Sequence, residues 1–121
     1  MKKFIGTSAL VLLVGVAAHA EDRTGTVTLM MPCADNYYEF ELAGVTAPWQ
    51  GQTKPIRFMV KAPATTTERS KQMFSLLLTA ISSGSKVGVG TFQAAGSYLS
   101  GANCGTSYVP GQEVSWLGLY R

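Results

Sequence analysis

Glu39 and Glu41 stand two residues apart in a stretch that alternates like a strand, so both carboxylates fall on one face. Paired carboxylates share acid and base work when they flank a cleft at a set separation. Two acids on the wet face of a strand usually serve solubility alone, and the neighbouring residues imply no cleft. Ser82, Ser83 and Ser85 lie beside Lys86, the residue types of a Ser-Lys nucleophile site. Their setting, the end of a helical pattern followed by Gly84, is more simply a helix C-terminus and a turn. Gly84-x-x-x-Gly88-x-Gly90 is spaced like part of a phosphate loop. It precedes a strand instead of opening a helix, and it lacks the Lys-Ser/Thr ending. Histidine occurs once, at His19, which leaves little material for Ser-His-Asp or Cys-His catalysis or for a histidine-rich metal centre. The expectation is a protein that is not an enzyme and uses no metal or cofactor.

Aromatic residues are more conspicuous than catalytic ones. Tyr37, Trp49, Tyr98, Tyr108, Trp116 and Tyr120 all fall near loops or segment ends. Flat rings with Asn, Gln and Ser nearby make a platform for a sugar ring or for a protein partner. Ordinary core packing or disulfide cover accounts for about half of such a set. Trp49, Tyr98 and Tyr108 lie in otherwise polar connections and are the candidate ligand-binding residues, expected to be exposed.

The N-terminus supplies the compartment. Met1-Lys2-Lys3 is a positive start, Phe4 to Val16 is almost wholly apolar, and Ala18-His19-Ala20 has the small-x-small pattern of a signal peptidase site. The apolar run is short for a bilayer span, and no second hydrophobic segment follows. Residues 1–20 are therefore expected to be a signal peptide, with a retained N-terminal anchor as the alternative. Cleavage would remove the sole histidine and leave residues 21–121 as a single domain, periplasmic or secreted, with no membrane span. Glu21 as first residue offers no lipid-acceptor cysteine. Of the ten Lys and Arg, Lys2 and Lys3 leave with the leader, so eight scattered cations face seven acids. A nucleic-acid binder would show a basic stripe, so no nucleic-acid partner is expected.

Cys33 and Cys104 are the only two cysteines. In an oxidising compartment such a pair most often forms a disulfide. The loop of about seventy residues it would close is worth ~4 kcal/mol in the chain-entropy model. A redox pair or a metal site is the competing reading, but there is no Cys-x-x-Cys and no co-ligating histidine beyond the leader.

The elements that must position these residues follow from hydrophobic periodicity. Arg23 to Met31 alternates, with Gly25, Val27, Leu29 and Met31 on one face and Thr24, Thr26, Thr28 and Met30 on the other. Pro32 and Ala34-Asp35-Asn36 break it. Tyr37 to Leu42 places Tyr38, Phe40 and Leu42 inward and Tyr37, Glu39 and Glu41 outward. Ala43 to Pro55 is punctuated like a loop, and Ile56 to Lys61 alternates again. Thr65 to Glu68 fits a capping box ahead of a helix from Glu68 to Ser82, with Met73, Phe74, Leu77, Leu78 and Ile81 as its apolar stripe and Gly84 as a left-handed cap. Lys86 to Phe92 returns to period two with Gly88 and Gly90 on one face. Two alternate glycines imply a close approach to the backbone, from the helix or an aromatic ring before a ligand. Gln93 to Gln112 is a long connection, and Glu113 to Tyr120 is the last strand, with Val114, Trp116, Gly118 and Tyr120 on one face. The order β-β-β-α-β-β predicts a mainly β, small OB-like barrel. An open antiparallel sheet with the helix on one face is the rival.

The passage from Glu68–Ser85 (ERSKQMFSLLLTAISSGS) into Lys86–Phe92 (KVGVGTF), behind a signal peptide and an early strand pair, resembles small exported toxin B subunits of the subtilase cytotoxin and pertussis-like kind. The resemblance implies an OB-fold protomer that forms a homo-oligomeric ring and binds glycans. The sialic-acid-contacting residues of that family have no counterpart in Glu21 to Gly25, so it assigns no site residue here. The leading expectation is an exported, non-enzymatic binding module for glycans. The alternative is a periplasmic structural or inhibitory protein that binds another protein, and a small hydrolase ranks below both.

Overall fold

The computed structural model describes residues 11–15, 21–34, 37–61, 67–99 and 109–120. In chain order these form β1 (Val11–Gly15), β2 (Glu21–Ala34), β3 (Tyr37–Leu42), β4 (Thr46–Trp49), β5 (Gln52–Pro55), β6 (Arg57–Lys61), α1 (Thr67–Ser83), β7 (Lys86–Thr91) and β8 (Gly111–Tyr120). β2 pairs with β3, β3 with β6, β6 with β8, β8 with β7, and β7 with β2. The cycle closes a five-stranded barrel, and the β2–β7 seam rules out the open-sheet rival. Only the β6–β8 seam, Arg57–Met59 against Gly111–Glu113, is parallel. With α1 between the third and fourth barrel strands, this is the OB plan. β1 lies outside the cycle, antiparallel to β8 from Val11↔Tyr120 to Gly15↔Trp116.

The interior is filled by the alternate residues the sequence marks out. Tyr38, Phe40 and Leu42 meet Ile56, Phe58 and Val60, with Val87, Val89, Val114, Leu117 and Leu119 closing the cluster. Phe40 and Phe58 are register partners, and their rings stack with centroids 5.5 Å apart.

Alternation alone gives the wrong face in one strand. The β2–β3 register slips between Val27 and Leu29, an extra residue that switches side-chain parity. Val27 and Met30 therefore pack on the core, and Leu29 and Met31 are half-buried outside it. β2 also continues through Pro32 to Ala34, because Pro32 pairs with β3 only and its missing N–H breaks no second ladder. A similar slip in β8 between Val114 and Trp116 keeps Val114 inside and brings Leu117 and Leu119 to the same side. Arg69 Nη2 donates to the Ser115 carbonyl at this slip, at 2.8 Å.

α1 lies across the barrel end where β6 leaves and β7 enters. It buries Ser70, Met73, Leu76, Leu77 and Ala80, while Leu78 and Ile81 are each 46% exposed. The apolar stripe is thus rotated from the predicted one, since a helix crossing a barrel end touches it along one line. The Tyr38 hydroxyl donates to the Ser70 carbonyl at 3.1 Å, and the Tyr38 and Phe74 rings meet edge-on at 5.3 Å. Gly84 takes φ 71°, and the Ser85 N–H donates to the Ala80 carbonyl at 3.1 Å, the Schellman closure expected of a glycine cap. The capping residue Thr65, with Asp35, Asn36, Cys104 and Tyr108, lies outside the described residues. No helix among the described residues is long and apolar enough to cross a membrane.

Candidate functional site

The segment 43–55 holds a hairpin where the sequence suggested a loop. β4 and β5 pair from Thr46↔Pro55 to Trp49↔Gln52. Gln50 and Gly51 take φ 51° and 79°, the two positive values of a type I′ turn whose twist matches its strands. The two prolines hide it in the sequence, because proline is tolerated only on edge strands such as these. Trp49 is thereby held beside the turn.

Tyr98 comes from the connection after β7, at the barrel end opposite α1. Its described part, 92–99, is tied down. Gln112, fully buried, donates through Nε2 to the Ala94 and Ser97 carbonyls at 3.3 and 3.2 Å. The Glu113 N–H donates to Gln93 Oε1 at 2.6 Å, and the Leu99 N–H to the Gly111 carbonyl at 2.7 Å. These contacts bring Tyr98 to Trp49, with ring centroids 6.1 Å apart and planes at 86°.

Two of the three predicted ligand-binding residues thus meet, and the third, Tyr108, lies outside the described residues. Neither ring is as exposed as expected. Both are half-buried, because each covers the other and Tyr98 also packs on the core. The Trp49 indole Nε1 is buried and meets no acceptor. The half-buried faces of this edge-to-face pair offer ring surface for recognition.

A second aromatic pair stands on the barrel wall. A Cβ on Gly88 would lie 3.0 Å from the Tyr120 ring and 3.2 Å from the far edge of the Trp116 indole, and one on Gly90 would overlap that indole. The alternate glycines of β7 therefore seat Trp116 and Tyr120, the aromatic approach favoured by the sequence over a ligand groove. Asp22 and Thr24 of β2 are register partners of Gly90 and Gly88 and are exposed.

Glu39 and Glu41 overturn the expectation of a solvated face. Glu39 is fully buried, and its side chain meets Arg57 Nη1 at 3.1 Å and the Tyr37 hydroxyl at 2.7 Å. Arg57 also donates through Nε to Glu41 at 2.9 Å. Arg57 lies across from the strand bearing both acids and spans them, which makes the cluster an internal ion-pair network. Sequence reasoning missed it because burial of an outward face is set by tertiary structure, although Arg57 next to the β3 partner strand was the available signal.

Tyr37 is held above the usual tyrosine range by burial, then by its hydrogen bond to Glu39 and the charge of that carboxylate. Burial also raises Tyr38, against the opposing Ser70 hydrogen bond and Arg69 charge. The unfolded chain releases these phenolic protons from about pH 10 upward while the folded chain retains them, so stability falls as pH rises through that window. Urea melts between pH 8 and 11 should show this decline. Tyr37→Phe should make it shallower, and an unchanged slope would contradict the assignment.

The barrel closed by five strands with one helix is an OB-like scaffold that carries an aromatic pair at one end. The chain matches no family model, no curated protein and no solved structure.

Proposed function

We propose that this chain is an exported, non-enzymatic binding module that takes a glycan at the Trp49–Tyr98 pair. The observation carrying this reading is the half-buried Trp49–Tyr98 ring pair at the barrel end, with 6.1 Å between centroids. A sugar offers the complement, an apolar C–H face that packs on an aromatic ring. The N-terminal pattern of residues 1–20 supports export, and glycan-binding toxin B subunits are the functional analogues. A Cys33–Cys104 disulfide goes with export, because two cysteines in an oxidising compartment most often pair. The intact mass of the exported product should lack residues 1–20 and two hydrogens.

The test is a glycan array with the wild type, Trp49→Phe and Trp49→Ala. Trp49→Phe keeps a ring but with a smaller face, and should weaken binding with a melting point close to wild type. Trp49→Ala should abolish binding at a cost of about 1–2 kcal/mol, short of the 3–5 of a fully buried tryptophan. A wild type that binds no glycan would discard this function. The protein-binding alternative, a periplasmic structural or inhibitory role, is favoured by one observation of its own, the exposed Leu78 and Ile81 on α1.

A further inference from the structure

One edge of β8 changes hands midway. β6 covers Gly111–Glu113 and β1 covers Trp116–Tyr120, while β7 runs along the other edge. At the step between β6 and β1, the Ser115 carbonyl accepts from Arg69 Nη2 at 2.8 Å. Arg69 sits in the first turn of α1, which packs on both β1 and β8. Two polar atoms are left over at this step. Arg69 Nε and Ser115 Oγ are buried without a hydrogen-bond partner, and Ser115 is fully buried. No carboxylate among the described residues forms an ion pair with Arg69. A guanidinium N–H and a hydroxyl, both unused, are the complement of a carboxylate.

β1 displays the strand geometry this edge accepts. Its antiparallel register runs from Val11↔Tyr120 to Gly15↔Trp116, so Gly15 stands opposite the residue that follows Ser115. Leu12 and Val14 are register partners of Leu119 and Leu117, the β8 residues that face the core. A groove lined by Glu68, Lys71, Ser75, Leu76, Thr79 and Leu119 runs between α1 and β8. Its two charges are of opposite sign, which leaves Arg69 in excess. The chain continues past Gly15, so β1 brings no terminal carboxylate to the Arg69 corner, in keeping with the two unused groups.

β1 belongs to the segment assigned above to the leader, so this inference rests on the export reading. It does not involve the Trp49–Tyr98 pair, which lies at the other barrel end. Loss of residues 1–20 leaves the barrel closed, since every strand of its cycle lies after Ala20. It strips the Trp116–Tyr120 edge of the strand that covers it among the described residues, up to the Arg69 corner. A row of backbone donors and acceptors takes an extended peptide as an added strand. Here the row ends in a cation and a hydroxyl at the point where an antiparallel strand finishes.

We propose that the Trp116–Tyr120 edge of β8 is a docking site for the carboxy-terminal end of another protein. The partner's last residues lie antiparallel to β8 in the place of β1, and their terminal carboxylate meets Arg69 Nε and Ser115 Oγ. The site selects apolar residues second and fourth from the partner's end, where Val14 and Leu12 stand in β1, and a small last residue in the place of Gly15.

The experiment uses the product recovered after export, with intact mass reporting whether residues 1–20 are gone. A fluorescent peptide of the Val11–Gly15 sequence, made soluble by lysines at its amino end, is titrated by anisotropy as the free acid and as the C-terminal amide. Wild type and Arg69→Gln are compared. The expected result is micromolar binding of the acid to the wild type and binding of the amide weaker by about ten- to a hundredfold. Arg69→Gln should bind both forms weakly and alike. In amide NMR spectra the acid should shift Trp116–Tyr120 and leave Trp49 and Tyr98 in place. If Arg69→Gln does not fold, the acid–amide difference on the wild type decides alone. A processed product that binds neither form, binds both equally, or shows shifts away from β8 overturns this inference and leaves export standing. A retained leader overturns the export reading and this inference with it.

Discussion

Arg57→Met is expected to destabilise the barrel by about 3–5 kcal/mol, the cost of leaving a buried charge without its partner. Glu39 is fully buried, and the Arg57 side chain is 12% exposed. With arginine gone, Glu39 and Glu41 face each other with no cation between them. A domain of this size has a net stability of about 5–10 kcal/mol, so half or more would be lost. Glu39→Gln in the Arg57→Met background should recover most of the loss, because the amide retains hydrogen-bonding capacity without the charge. Urea denaturation of the two single variants and the double variant measures this coupling. A loss below about 1 kcal/mol for Arg57→Met would place Glu39 in contact with solvent and contradict its burial.

The second large effect is expected at Gly90. Alanine there puts a Cβ into the body of the Trp116 indole, not against a flexible side-chain tip. Overpacking of this kind costs about 1–3 kcal/mol, and valine at the same place should reach or exceed the upper end. In a Trp116→Ala background the obstacle is absent, and Gly90→Ala should then be neutral or stabilising, since glycine is the weaker strand residue by about 0.5–1 kcal/mol. Thermal melts of the four combinations settle it. Equal costs of Gly90→Ala in both backgrounds would show that the indole is not what the glycine accommodates.

The barrel was legible where one periodicity held without interruption. Tyr38, Phe40 and Leu42 follow strict alternation and fill the core, and the glycine cap at Gly84 takes the conformation its position demanded. Legibility failed where one residue changes parity. Nothing in the letters at Thr28 separates a bulge from an ordinary strand position, yet everything after it changes face. The β4–β5 hairpin was hidden by Pro48 and Pro55, which look like loop punctuation until their edge-strand setting is known. At the candidate site, composition singled out Trp49 and Tyr98 separately. Their meeting depends on the barrel bringing two remote connections to one end, which no local pattern encodes. Glu39 was misjudged for a related reason. Its outward position followed from alternation, while its burial depends on what the fold lays over that wall.

The order in which the barrel's strands leave the ribosome has its own consequence. β8 is the last of them, and it forms two of the five seams, one with β6 and one with β7. Until Gly111–Tyr120 emerges, the preceding chain can form only an open sheet with two raw margins, however complete its helix and hairpins. Sealing is therefore a single late event that must wait for the distant Arg57–Gly111 contact, the kind of long-range closure that slows folding. The same timing bears on β1, which is made before all of these strands and, among the described residues, pairs with β8 alone. On the export reading proposed above, a peptidase acting while the chain is still threading through would remove β1 before β8 exists to receive it.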